Sequence, residues 1–205
     1  MENISVVILA GGMGTRIGGA KSLQLLQGKP LLDWVLDTIR PQCAELLISA
    51  NGDPTPYARS GCQVIADRTP GYAGPLAGLQ AAMQCASHRL IASVPCDTPF
   101  LPGDLIQRLY AALEAGNTEA AVARVEGRQQ SAIALYRHRV HAKLDAYMEQ
   151  GGRKVIAWQD TLQTCAVEFE DAAAFHNINT PEDLSLANQL LQTGGTGGNN
   201  QRTSA

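Results

Sequence analysis

The stretch VVILAGGMGTRIGGAKSL, residues 6–23, decides how the rest of the chain is read. It opens with an apolar run, residues 4–9, that breaks at Gly11-Gly12, as a strand buried on both faces does at the edge of a parallel sheet. The loop that follows comes close to a P-loop, which needs Gly, four residues and then Gly-Lys-Ser/Thr. Here Gly14 is followed after four residues by Gly19, and Ala20 intervenes before Lys21-Ser22. That register matters, because the lysine and the hydroxyl must reach the same phosphates and metal. IASVPCD (residues 91–97) does end in an acid as a Walker B strand would, yet no Asn-Lys-x-Asp segment follows to read guanine. A switch-type GTPase is therefore disfavoured. What remains is a glycine loop whose N–H groups can approach a ligand closely, with Arg16 and Lys21 as its cations. The competing account is a plain strand-to-helix turn with solvated basic residues.

Outward from this loop, apolar β-branched runs alternate with helical periodicity. Strands are expected at 4–9, 45–51, 62–67, 89–97, 119–125, 131–137 and 164–169. Helices are expected over PLLDWVLDTIR from Pro30, over 74–84, over 101–116 closed by Gly116, over 140–152, and over 180–192. The last opens with Thr-Pro-Glu-Asp, placing Pro at the first helical position and acids in the first turn. The rhythm predicts a three-layer α/β/α fold around a mostly parallel twisted sheet, Rossmann-like in class. Residues 1–192 read as a single domain, and the Gly/Thr/Asn-rich remainder, 193–205, as a disordered tail.

Composition excludes several classes. Of 205 residues 45% are hydrophobic and 17% charged, which supplies a sizeable core. A net charge of −3 argues against a nucleic-acid or anionic-membrane surface, so an anionic ligand must meet local cations and backbone N–H groups. The start lacks signal-peptide features and no apolar run reaches the ~20 residues of a spanning helix. Five cysteines without a C-x-x-C pair suggest neither a disulfide framework nor a zinc site, and a cytoplasmic protein with reduced thiols is expected. The four histidines show no metal spacing, and residues 136–139 (YRHR) read as a solvated strand-to-helix junction.

In open α/β sheets ligands sit outside the carboxyl ends of the strands. That rule selects residues 11–21, Asn51, Asp67 and residues 95–99. In VPCDTPFL, Asp97 follows a buried strand and is flanked by two prolines that stiffen the turn. It suits Mg²⁺, which typically uses one or two carboxylates plus phosphate oxygens and water; the alternative is a helix cap. Asp67 could equally start a turn. GYAGPLAGL (71–79) sets glycines around a helix N-terminus able to receive an anion, although close helix–sheet packing explains Gly78 as well. Asn177 and Asn179 precede the last helix, where Asn179 either flanks the Thr180 cap or orients a ligand beside Asp97.

Taken in order, LAGGMGTRIGGAK, GKPLLDWV, ISANGD, VIADR, GPLAGL, PCDTPFLP and NINTPEDL resemble the molybdenum cofactor guanylyltransferases, the MobA family of nucleotidyltransferases, over about residues 4–190. The resemblance implies a nucleotide-diphospho-sugar-transferase-like fold and a Mg²⁺-dependent transfer of GMP from GTP to molybdopterin, with release of pyrophosphate. It implies that Leu9, Ala10, Gly11 and Gly12 contact the nucleotide, that Arg16 and Lys21 stabilise phosphates, that Asp67 contacts GTP, and that Asp97 holds Mg²⁺. Gly78 falls near the reaction centre and Asn179 on the acceptor side. Asn51 is carried to the nucleotide side, together with Ser49, where the family often has Asn. This chain also departs before Lys21: the family usually has Asp there, and Gly19-Ala20-Lys21 is one residue shorter. Expected partners are GTP, molybdopterin, cofactor-delivery chaperones or apo-molybdoenzymes, with no nucleic acid and no membrane, and the chain is expected to be a monomer. The alternatives are a nucleotidyltransferase for another phosphorylated acceptor, such as a sugar 1-phosphate or a CTP-dependent pterin, and a non-catalytic GTP or pterin carrier.

Overall fold

The computed structural model describes residues 3–11, 21–67 and 74–194. The first strand, β1 (Ile4–Leu9), is followed by a two-stranded antiparallel ribbon, β2 (Leu25–Leu26) and β3 (Lys29–Pro30), and by α1 (Leu31–Ile39). Then come β4 (Glu45–Ser49), β5 (Gln63–Ile65), α2 (Pro75–Cys85), β6 (Leu90–Pro95), α3 (Leu105–Ala115), β7 (Ala120–Val125) and β8 (Arg128–Arg137). The chain continues through α4 (His141–Glu149), α5 (Val155–Gln159), β9 (Thr164–Phe169) and α6 (Pro181–Gly194). Seven strands form one sheet in the order β5-β4-β1-β6-β8-β7-β9.

Alternation along β1 builds both layers. Ile4, Val6 and Ile8 face a core shared with α1 and α3, while Val7 faces the core under α2 and α4. On α1, Leu32, Val35, Leu36 and Ile39 recur at helical spacing and are buried on the first face. On α2 the inner surface is largely Ala and Gly, so this helix lies close to the sheet. A third cluster, Leu26, Leu31, Ile178 and Ala187, attaches α6 to the small ribbon and α1. Among the described residues no helix is long and apolar enough to cross a membrane.

The sheet is mostly parallel, with β8 as its antiparallel member. Glu126 and Gly127 both have positive φ, 49° and 74°, which makes the two-residue turn that reverses β7 directly into β8. β8 then inserts between β7 and β6, pairing Ser93 with Ala134. It begins at Arg128 rather than at 131, because the turn supplies its first residues with ladder partners. α3 starts at Leu105, four residues later than the expected 101, and α6 runs to Gly194, beyond the expected 192. Neither α5 nor the β2–β3 ribbon was legible from periodicity, each being too short to show any.

One reading needs correction. Tyr136, expected at a solvated junction, is fully buried, stacks obliquely on Trp158 with ring centroids 5.1 Å apart, and accepts a 2.6 Å hydrogen bond from Gln159 Nε2. Burial raises its phenol pKa well above the ordinary value. The strand carries Tyr136 inward while Arg137 and His138 stay half-buried at its end.

Candidate active site

The carboxyl ends of β5, β4, β1 and β6 open onto a cavity of about 430 Å³. Leu9, Gly11, Ser49 and Asp67 line it from the side of β1, β4 and β5; Ala132 of β8 and Asn177 line it from the other. The strands stay paired to their ends, with Ala10 N–H donating to Ser49 O at 2.8 Å and Cys96 N–H to Leu9 O at 3.2 Å. The cavity floor is therefore rigid backbone, and the side chains that matter are carried by the turns just beyond it.

Three of those turns meet at Lys21. Its ammonium donates to Asp97 Oδ2 and to Asn179 Oδ1, residues 76 and 158 positions away in the chain. The Lys21 and Asp97 side chains are only 17% and 15% exposed, so their attraction is less screened than that of a surface pair. Asp97 does not cap a helix; the N-cap position of α3 is Asp104, seven residues on. Its neighbour Thr98 is fully buried and donates at 2.6 Å to Asn177 Oδ1. The same hydroxyl lies 3.5 Å from Asp97 Oδ1, which has no closer donor among the described residues. Ile178 N–H donates to Asp97 O at 2.8 Å, which fastens the segment before α6 along the Asp97 turn.

The start of α6 then fixes Asn179. Asp183 Oδ2 accepts from Asn179 N–H at 2.9 Å and Thr180 N–H at 3.0 Å, and Asp183 N–H donates back to Thr180 Oγ1 at 3.1 Å. This reciprocal cap holds the Asp183 carboxyl below its ordinary range, chiefly through the Asn179 backbone donor. Asn179 is thus both part of the helix start and a partner of Lys21.

On the nucleotide side Asn51 and Asp67 lock each other: Asn51 Nδ2 donates to Asp67 Oδ2 at 2.7 Å, and Asp67 N–H to Asn51 Oδ1 at 2.9 Å. Gly78 of α2 is demanded by packing. A Cβ there would lie 2.3 Å from Ser49 Oγ and 3.1 Å from Leu9 Cδ2. Ser49 is 2% exposed and its hydroxyl borders the cavity. Gly11 is less constrained, since a Cβ would meet Asn51 Nδ2 at an ordinary 3.7 Å. Cys96, also on the cavity wall, has its thiol pushed up to about 12 by burial and the adjacent Asp97 charge, so it stays protonated and is no nucleophile.

Of the expected site residues, Leu9, Gly11, Lys21, Ser49, Asp67, Gly78 and Asp97 border the cavity, and Asn51 and Asn179 are bonded to residues that do. Ala10 is buried beneath it. Gly12 and Arg16 lie outside the described residues. Sequence reasoning missed Ala132, Thr98 and Asp183; the Thr-x-x-Asp pattern at 180–183 was the available signal for the last. Among the described residues no group of three or more His, Cys, Asp or Glu could cage a metal. Asp97, a carboxylate on the cavity lining, fits instead a Mg²⁺ ion completed by substrate phosphates and water.

The sheet order and this cavity define a class, the nucleotide-diphospho-sugar-transferase-like nucleotidyltransferases. The molybdopterin-guanine dinucleotide biosynthesis protein A from Archaeoglobus fulgidus shares the fold with a TM-score of 0.77 and 25% identity, over 92% of this chain and 99% of that one. The MobA-like NTP transferase domain matches residues 6–164, and the chain belongs to that family. Relatives named molybdenum cofactor guanylyltransferase include one from Shewanella sediminis, 41% identical over 190 residues (92% of this chain, 97% of the relative). Another, from Burkholderia lata, is 44% identical over 193 residues (89% and 94%).

Proposed function

We propose that this chain transfers GMP from GTP to the terminal phosphate of molybdenum-bound molybdopterin, releasing pyrophosphate. The observation that carries the reading is the meeting of Lys21, Asp97 and Asn179 over the sheet edge in a chain of this family. One phosphate oxygen of the acceptor bonds to the α-phosphorus of GTP, and the bond from that phosphorus to the β-bridging oxygen breaks. A phosphate monoester has its second pKa near 6, so the acceptor is already mostly dianionic at pH 7 and needs no general base. The cavity wall agrees with this economy: its acids are bonded to Lys21 and Asn51, and its thiol is protonated.

The difficulty is repulsion between polyanions. Two unit charges about 4 Å apart at an effective dielectric near 20 cost roughly 4 kcal/mol. Lys21 can leave Asp97 for the phosphates and offset part of this, and Arg16 and the N–H groups of the glycine loop, including Gly12, are proposed to act with it. Asp97 is proposed to hold Mg²⁺, which would add charge neutralisation at the phosphates. Leu9, Ala10, Gly11, Ser49, Asn51, Asp67 and Gly78 form the nucleotide side; Asn179, with Asn177 and Ala132, faces the acceptor. The setting proposed is the cytoplasm, where GTP is plentiful and the described cysteines, all free, stay reduced.

The test is pyrophosphate release by purified protein with molybdenum-loaded molybdopterin and Mg²⁺, offering GTP, CTP and ATP in parallel. Release with GTP alone is expected. Release with CTP instead moves the base assignment, and GTP binding without any release favours a carrier.

A further inference from the structure

Lys21 is the first described residue after the glycine loop, and something must set where its backbone re-enters the fold. A free lysine side chain loses about 2 kcal/mol of rotamer entropy when held, so an ill-placed Cα would not keep its ammonium at Asp97. The chain is tied one residue later. Ser22 is completely buried, and its Oγ lies 3.1 Å from the hydroxyl of Tyr57, itself 5% exposed. Tyr57 sits on the 3₁₀ turn Thr55–Ser60, in the β4–β5 connection that also carries Asn51, the partner of Asp67 beyond β5.

The tyrosine is a firm anchor. Its backbone N–H donates to Pro54 O at 2.9 Å, its carbonyl accepts from Ser60 Oγ at 2.7 Å, and its ring is part of the core under α1. A phenylalanine would fill the same core. The hydroxyl is therefore surplus to packing, and what it does is hold Ser22.

We propose that the Tyr57 hydroxyl, acting through Ser22, is a positioning group for Lys21, joining the connection that bears Asn51 to the cation that faces the phosphates. This rests on the reading of Lys21 as the phosphate-facing lysine. Misplacing a catalytic group by about 1 Å can cost two orders of magnitude, and loss of one of several ties to Lys21 is expected to cost less, about tenfold.

The experiment compares wild type, Tyr57→Phe, Ser22→Ala, Lys21→Met and the Tyr57→Phe/Lys21→Met double variant. Pulse acetylation with acetic anhydride, read by mass spectrometry, reports on lysine placement without any turnover. Lys29 and Lys143, each paired with a carboxylate elsewhere, serve as internal controls. Tyr57→Phe is expected to raise Lys21 acetylation several-fold and leave both controls unchanged. In pyrophosphate release it should lower kcat about tenfold with KM for GTP within about twofold, and have no further effect in the Lys21→Met background. Ser22→Ala should reproduce this from the other side of the bond, which keeps the test decisive if either variant folds poorly. Unchanged Lys21 acetylation, or equal slowing of wild type and Lys21→Met by the tyrosine change, overturns the proposal. A wild type that releases no pyrophosphate sinks the functional reading, while the acetylation result still decides the positioning role.

Discussion

The two ends of the sheet make an instructive pair. At the amino ends of β1 and β6, where β8 finishes, lies a groove of about 730 Å³, larger than the carboxyl-end cavity and richer in basic side chains. Several of its charged and polar groups are answered nearby. Arg137 pairs with Glu114 at 2.9 Å and donates from Nε to Thr118 O, and His138 Nε2 donates to Met83 O at 2.7 Å. Glu119, next to Arg139, binds Lys143, which holds its carboxyl below the ordinary range. At the carboxyl end the cavity is smaller, yet turns from distant parts of the chain bring Lys21, Asp97 and Asn179 together, and Ser49, Asp67 and Asp97 line the same space. Volume and charge count favour the amino end; the meeting of residues from distant parts of the chain favours the carboxyl end, which is the site proposed.

The contrast is broken most directly at Asp97. Asp97→Asn is expected to lower turnover by about three orders of magnitude while circular dichroism stays native, since the side chain lines the cavity, where it is proposed to hold Mg²⁺, and is not part of the core. Near-normal pyrophosphate release by that variant would remove Asp97 from the mechanism. Lys21→Met should come next, at about a hundredfold in kcat, because one of several positive groups is lost. An undiminished kcat would place the phosphates elsewhere.

Gly78→Ala probes the packing that shapes the nucleotide side. With a Cβ 2.3 Å from Ser49 Oγ, overpacking should cost about 1–3 kcal/mol, visible as a lower denaturation midpoint. Ser49→Gly added to it should recover part of that loss, and absence of any recovery would show that Leu9 alone sets the limit. Smaller again is Asp183→Asn, worth about 1 kcal/mol as a lost cap. Because the folded Asp183 carboxyl is depressed below its unfolded value of 3.8, its stabilisation is present above that pH and fades as pH falls through the folded value. The variant should therefore lose its deficit relative to wild type in acid, which urea melts between pH 6 and about pH 2 would show. Smallest of all, Arg89→Ala and Arg139→Ala at the opposite groove should change pyrophosphate release by less than about twofold. A larger loss would mean that the two ends communicate.

Much of the chemistry was legible residue by residue. Strand ends could be found from apolar runs meeting Gly, Asn, Asp or Pro, and the carboxyl-edge rule then gathered Gly11, Asn51, Asp67 and Asp97 onto one side of an unseen sheet. Close helix–sheet packing was one of two readings of Gly78; that the contacts are Ser49 and Leu9 of neighbouring strands was not legible. Nor was the inward turn of Tyr136, because basic neighbours disguised a fully buried position in β8.

By itself, then, the sequence determined the alternation of strands and helices, the family, and the residues at each strand's carboxyl end, because these follow from local periodicity and short motifs. Only the tertiary structure decided which of those residues meet. That Lys21 bridges Asp97 and Asn179, that Asn51 and Asp67 lock together, and that β8 runs antiparallel between β6 and β7 are set by contacts across long stretches of chain. Such pairings depend on sheet order and register, for which no local pattern codes, and they form when the two cores close and bring the carboxyl-end turns within hydrogen-bonding reach.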